Sequence, residues 1–161
     1  MIQAVIGVLE HEDRILLIQR ARSVIFPPQW ALPGGKMEPG EDRRSALIRE
    51  FQEEVCLTVN PPVMHAYMRN YGIPDGCPEE TILFTYMLGS QFDGVPTLSA
   101  ETEGLGWFTL AEALNLSLTH GTREALMSPQ IYAELYKRGQ LAALYPAVTR
   151  PGEREGRSFS P

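Results

Sequence analysis

The segment RRSALIREFQEEV, between Asp42 and Cys56, can bury only one of its sides if it is helical, and this constrains the rest of the chain. At about 100° per residue, with Glu50 set at zero, Glu54 falls at about +40° and Glu53 at about −60°. Three carboxylates therefore share one face. Leu47, Ile48, Phe51 and Val55 gather on the adjoining side and form the stripe that something else must cover. Ala46 projects between Glu50 and Glu53, where a small side chain would leave room for a ligand. Asp42 is the expected N-cap, so the helix should run from Arg43 to Val55.

An acid face of this kind is unfavourable alone. Like charges three or four residues apart repel by roughly 0.2–0.5 kcal/mol per pair, and acids near a helix C-terminus oppose its dipole. Arg49, four residues before Glu53, offsets part of this. Three glutamates by themselves are better read as a solvated surface. A divalent cation gives the other reading, because Mg²⁺ takes hard oxygen ligands and usually keeps waters and substrate phosphate oxygens as well.

The rest of the chain supplies strands to cover the apolar stripe. Ile2–Leu9 and Arg14–Arg20 read as a hairpin around the polar turn Glu10–Asp13. The Pro27-Pro28 segment reads as a loop, and Trp30-Ala31-Leu32 as a short strand leading into PGGKMEPG. Further strands are expected near Val63–Asn70 and Thr81–Ser90, with a turn at Pro74-Asp75-Gly76, and another ends at Trp107-Phe108. Thr109 to Glu112 is a capping box. Thr119 to Leu126 reads as a loop and short helix beside the pocket. Ser128-Pro129 opens a helix that should reach Arg138 and stop at Gly139. The expectation is one α+β domain with a mixed sheet over residues 1–149, followed by a flexible tail over 150–161.

Spacing decides between the two readings of the acid face. Gly35 stands before five residues and then Glu41. Seven more lead to Arg49-Glu50, then Phe51, a free position, Glu53-Glu54, a free position, Cys56 and Leu57. This is similar to the Nudix box, G-x5-E-x7-R-E-U-x-E-E-x-G-U with U a bulky apolar residue, and every fixed position matches except Cys56 in place of the last glycine. The approach WALPGGKMEPGE also resembles the family. The motif covers 23 residues, and the strand pattern around it is compatible over most of the chain.

The resemblance implies a Nudix (MutT-like) fold, a mixed sheet sandwiched between helices (α/β/α). It also implies hydrolysis of a nucleoside diphosphate linked to another group, with Mg²⁺ or Mn²⁺. It makes Glu53 and Glu54 the main metal ligands, and Glu50 a ligand or the base that activates water. It adds a backbone carbonyl at Gly34 or Gly35, Arg49 to orient the glutamates, and Glu41 as a supporting or water-mediated ligand. A nucleoside triphosphate, ordinary or oxidised, leads as substrate. The alternatives are a nucleotide conjugate (ADP-ribose, a dinucleoside polyphosphate or coenzyme A) and a module that senses nucleotide without cleaving it. Homodimers are common in the family, so a second copy of the chain is a candidate partner.

Position 56 departs from the pattern. A glycine there takes a left-handed conformation past the helix end. A cysteine either accepts that strain, at a cost on the order of 1 kcal/mol, or lets the helix run on into Leu57.

Other residues carry weaker expectations. Lys36 is a candidate for substrate phosphate and is equally well read as a surface lysine. Arg20 and Arg22 are candidates for the same cleft, with the surface reading favoured. Glu101 or Glu103, ahead of Trp107, stands where the family often has an extra carboxylate that binds metal or acts as base. Trp30, Trp107, Tyr67, Tyr71 and Phe84 read as core before base platform. His11, His65 and His120 form no ligand set. A net charge of −6 argues against nucleic acid or an anionic membrane as partner. An anionic substrate would then need a cation to be accepted. No apolar run is long enough to span a bilayer, and the acidic start is unlike a signal peptide. Cys56 and Cys77 lack zinc spacing, and a reducing cytoplasm is the default.

Overall fold

The structure, a computed structural model, describes residues 2–20, 28–61, 66–71 and 81–137. The turn expected at Pro74–Gly76, Cys77, His65, Arg22, Gly139 and the tail beyond residue 149 lie outside them.

Strand β1 (Ile2–His11) turns back into β2 (Arg14–Arg20) through Glu12 and Asp13, both at positive φ. Two central residues of that kind make a tight two-residue hairpin turn. The turn is therefore shorter than the sequence suggests, and β1 runs through Glu10 and His11. Only the first pairs, His11 with Arg14 and Glu10 with Ile15, join the two strands. Beyond them β2 leaves β1 and pairs with β3 (Trp30–Ala31) on one side and β9 (Thr102–Phe108) on the other. The vacated edge of β1 is taken by β4 (Gly34–Lys36), which pairs antiparallel with Ala4, Val5 and Ile6.

The other edge of β1 pairs in parallel with β7 (Thr81–Gly89), which pairs antiparallel with β6 (Ala66–Tyr71). The result is a seven-stranded mixed sheet. A separate two-stranded sheet, β5 (Thr58–Val59) with β8 (Phe92–Asp93), escapes the sequence reading because each strand has only two residues.

Alternation along the strands sorts the core into two layers. Val5, Leu9, Leu16, Ile18, Phe84, Tyr86 and Leu88 face α1 (Arg43–Val55), where they meet Leu47, Phe51 and Val55. Ala4, Ile6, Val8, Ile15, Leu17, Leu83 and Met87 face the other way, onto α2 (Leu110–Leu114), α3 (His120–Met127) and α4 (Pro129–Lys137). Helices on both faces of a mixed sheet give the expected α/β/α sandwich. Trp30 and Trp107 pack against these layers, and Phe84 is buried beneath the Arg43 guanidinium, 4.4 Å from the ring centre. No described helix is long and apolar enough to cross a membrane.

The local signals for α1 and α2 are met residue by residue. The Asp42 carboxylate accepts from the Ser45 N–H, and Thr109 and Glu112 bond reciprocally across the start of α2. Phe51 anchors α1. It is fully buried, and truncating such a side chain to alanine costs about 3–5 kcal/mol.

Candidate active site on the carboxylate helix

Two glycines bring the backbone of β4 against α1. Gly34 lies at φ 148°, and a Cβ there would stand 2.0 Å from the Val5 carbonyl oxygen, so the pairing with β1 admits only glycine. The Gly34 N–H donates to Oε1 of Glu54 at 2.8 Å. Glu54 is 3% exposed, and a carboxylate that deep needs such a donor. A Cβ on Gly35 would stand 2.5–2.7 Å from the carboxyl atoms of Glu50. The glycine segment is thus a strand whose missing side chains let a carboxylate sit against its backbone.

Arg49 gathers the remaining acids. Its Nε and Nη2 donate to Oε2 and Oε1 of Glu41 at 2.7 and 2.9 Å, a two-pronged grip. Its Nη1 donates to Oε1 of both Glu50 and Glu53 at 3.0 Å, and Nη2 also reaches the Lys36 carbonyl at 3.0 Å. One guanidinium therefore ties three glutamates of the motif to the end of β4. The expected Arg49–Glu53 pair is present, but it is one contact of several.

The charges respond accordingly. The Arg49 hydrogen bond, helped by the Glu38 N–H, holds Glu41 down at about 2. The same bond to Glu41 raises the pKa of Arg49. Glu50 moves the other way. Burial pushes its pKa up, against the pull of Arg49, and the charges of Glu53 and Glu101 add to the rise.

The helix ends at Cys56, which adopts φ 59° and ψ 32°, the left-handed conformation a glycine would take without cost. Its N–H bonds to Gln52 O, the single bond of a left-handed helix stop, and the Leu57 N–H reaches back to Phe51 O. Of the two outcomes open from the sequence, the strained turn is the one found. Cys56 is exposed and free.

A Nudix-domain family model matches residues 2–129, most of the chain. The chain belongs to the Nudix family. Among curated relatives of this Nudix hydrolase, the uncharacterized Nudix hydrolase YvcI of Bacillus subtilis (strain 168) is 31% identical over 115 residues. That match covers 71% of this chain and 70% of YvcI. Nucleoside triphosphatase NudI of Klebsiella pneumoniae (strain 342) is 32% identical over 129 residues, covering 73% of this chain and 89% of NudI. Among solved structures, a MutT NUDIX hydrolase from Burkholderia pseudomallei superposes with a TM-score of 0.67 at 31% identity. It covers 78% of this chain and 95% of that one.

The hydrolase brings most of its expected site residues together. Gly35, Glu41, Arg49, Glu50, Glu53 and Glu54 are joined through β4, α1 and the Arg49 bonds. Lys36 closes β4 with an exposed side chain, while its carbonyl, which sequence reading overlooked, anchors Arg49. Ala46 corrects an expectation. It is fully buried in the core layer under α1 and makes no room on the acid face. Both candidate acids before Trp107 are exposed; the charge of Glu101 acts on Glu50, and Glu103 lies on β9. Arg20 ends β2 opposite Thr102, and its side chain lies outside the description. The backbone bond from Gly34 to Glu54 was also unforeseen. Its signal in the sequence is the Gly-Gly doublet, which marks a close backbone approach.

Nudix hydrolases generally use divalent metal ions. Among the described residues no group of three or more His, Cys, Asp and Glu is already drawn together tightly enough to hold one. Arg49 instead occupies Oε1 of Glu50 and of Glu53. The donor chemistry nevertheless fits a hard cation. Glu50, Glu53 and Glu54 are oxygen donors on one helix, and Gly35 offers an edge without a side chain where Glu50 rests.

Proposed function

We propose that this Nudix hydrolase cleaves a phosphoanhydride bond of a nucleoside triphosphate with water, giving the monophosphate and pyrophosphate. The cation would be Mg²⁺, with Mn²⁺ able to replace it. The observation that carries the reading is the contact between β4 and the acid face, where Gly34 bonds Glu54 and Gly35 abuts Glu50. The likeness to nucleoside triphosphatase NudI supports the substrate class.

Glu53, Glu54 and the Gly35 carbonyl would hold the cation, Glu50 would serve as the base, and Glu41 would act through Arg49 or a water. Once bound, such a cation neutralises phosphate charge and makes water easier to deprotonate. Glu50 takes the proton. Its burial raises its pKa, which makes it a better proton acceptor than a solvated carboxylate. Arg49 fixes Glu50 and Glu53 relative to β4. Lys36 and Arg20 are the candidates for holding substrate phosphate, and the charge of Glu101 acts on Glu50.

The test is a panel of ordinary and oxidised nucleoside triphosphates, ADP-ribose, a dinucleoside polyphosphate and coenzyme A, assayed with Mg²⁺ and with product identification. Monophosphate plus pyrophosphate from a triphosphate, lost in Glu53→Gln, is the expected result. Turnover of only the conjugates would move the substrate class. Binding without turnover in the wild type would replace the enzyme reading with a nucleotide sensor. Glu50→Gln should lower kcat by about 10²- to 10⁴-fold, the usual contribution of a positioned base.

A further inference from the structure

Between β3 and β4 the chain crosses from the edge of β2 to the edge of β1 through Leu32 and Pro33. Pro33 has no N–H, so the crossing carries a single amide proton. That proton meets α3. The Leu32 N–H donates to Thr122 Oγ1 at 2.9 Å, and the two residues are 0% and 2% exposed. A backbone amide this deep needs a partner. Here a side chain supplies it, from the layer of the sandwich opposite α1.

The hydroxyl is itself set in place. Thr119, the N-cap of α3, donates its hydroxyl proton to Thr122 Oγ1 at 3.0 Å and accepts from the Thr122 N–H at 3.4 Å. The start of α3 is in turn clasped to β3. The Trp30 N–H donates to Ser117 O at 2.8 Å, and the Thr119 N–H donates to Trp30 O at 3.0 Å.

We infer that Thr122 is a positioning residue, which sets, through Leu32 and Pro33, where the Gly34 amide meets Glu54. This rests on reading the contact of β4 with α1 as the reaction centre, and it adds a determinant from the far face of the sheet. The path is short and stiff, because the one residue between Leu32 and Gly34 is a proline with its φ fixed by the ring. The Pro33 carbonyl accepts from the Gly7 N–H at 3.0 Å, so the crossing is held by β1 on one side and by Thr122 on the other. Without the hydroxyl the Leu32 amide is buried and unpaired, and the crossing must shift to find another acceptor. A shift there draws the Gly34 N–H from Oε1 of Glu54, which it meets at 2.8 Å.

The test compares Thr122→Val, Thr122→Ser and Ser128→Ala with the wild type, all as the full chain. Ser128 is 4% exposed at the junction of α3 and α4, and its hydroxyl donates to Ala125 O at 2.9 Å. Its loss removes a buried hydroxyl without touching the crossing, so thermal midpoints should fall in Thr122→Val and Ser128→Ala alike. Two readouts separate positioning from stability. In metal-free protein the Gly34 amide proton should resonate upfield of its wild-type position in Thr122→Val, as a weakened bond to a carboxylate requires. Thr122→Ser and Ser128→Ala should leave it in place. Mn²⁺ affinity, read by calorimetry below the lowest midpoint, should drop about tenfold in Thr122→Val alone, the low end of the cost of disturbing what supports a ligand. A Gly34 proton unmoved in Thr122→Val, unrestored in Thr122→Ser or moved equally in Ser128→Ala overturns the role of Thr122. So does Mn²⁺ affinity that Glu53→Gln lowers and Thr122→Val does not. Unchanged affinity in Glu53→Gln removes instead the carboxylate face as the metal site, and the Gly34 resonance still decides on Thr122.

Discussion

A methyl group on Gly35 would stand 2.5 Å from Oε1 of Glu50. That contact is with the end of a side chain, which can swing away, so Gly35→Ala should fold. It should lose activity, because Glu50 would be displaced from β4, and a misplacement of about 1 Å can cost about 10²-fold. Gly34→Ala should behave differently. Its clash is with the Val5 backbone at 2.0 Å and its φ is 148°, so it should lose roughly 2–4 kcal/mol of stability. Chemical unfolding beside turnover separates the two. Equal losses of stability in both variants would contradict the distinction.

Arg49→Lys keeps one positive charge and loses the planar fork. A single ammonium cannot hold Glu41, Glu50, Glu53 and the Lys36 carbonyl at once. We expect kcat/KM to fall by about 10- to 100-fold, the usual effect of removing a residue that orients metal ligands. The Mg²⁺ concentration for half-maximal rate should rise with it. Steady-state kinetics across a Mg²⁺ series measures both, and a loss of kcat/KM with unaltered Mg²⁺ dependence would place Arg49 elsewhere in the mechanism.

Cys56→Gly should stabilise the protein. The cysteine sits at φ 59°, where a side chain costs about 1–2 kcal/mol. Glycine recovers most of this and gives back part through its looser unfolded state. A net gain of about 1 kcal/mol corresponds to about 2–4 °C in thermal midpoint for a chain of this size. Cys56→Val should lower the midpoint. Turnover should stay constant in Cys56→Gly, since residue 56 carries no proposed ligand.

Acid should destabilise the fold through identifiable carboxylates. Glu41, Asp42 and Glu112 are held below their ordinary values of 4.5, 3.8 and 4.5 by hydrogen bonds from Arg49, Ser45 and Thr109 respectively. Their stabilisation is complete above those ordinary values and is lost as pH falls through the lowered ones, for Glu41 between 4.5 and about 2. Glu50 has the opposite sign. Its pKa is raised, so it favours the fold below 4.5 and ceases to as pH rises through the raised value. Glu112→Gln keeps a side chain able to cap α2 but removes one titrating group, so its unfolding midpoint should drop less than the wild type's between about pH 7 and about pH 3. An equal drop would exclude Glu112 as a contributor.

The parts of this fold that sequence reveals are those set by neighbours along the chain. Asp42 caps Ser45, Thr109 and Glu112 cap each other, and the apolar stripe of α1 repeats at the helical period, so α1 emerges with both ends correct. Gly34–Lys36 carries no strand pattern of its own, because its strand character comes only from pairing with Ala4–Ile6, some thirty residues away. Ala46 projects among the acids on a helical wheel, yet it is fully buried in the layer between α1 and the sheet. The choice between Glu101 and Glu103 depends on how the chain after β8 is pinned to Val55 and Arg20, which no local pattern encodes. The glutamates of α1 were legible because one helix carries them. The grip of Arg49 on Glu41 was not, because it spans the connection from β4 into that helix.

Since β2 parts from β1 after two residue pairs and β4 fills the space, the glycine segment is hydrogen-bonded to a central strand of the sheet instead of standing clear of it. Its amides should therefore exchange with deuterium at rates set by whole-domain opening, unlike those of a surface loop. An enzyme built this way has little scope for inducing its reaction centre around each guest. Discrimination among guests then falls to the periphery, where side chains can change without disturbing the bedrock beneath.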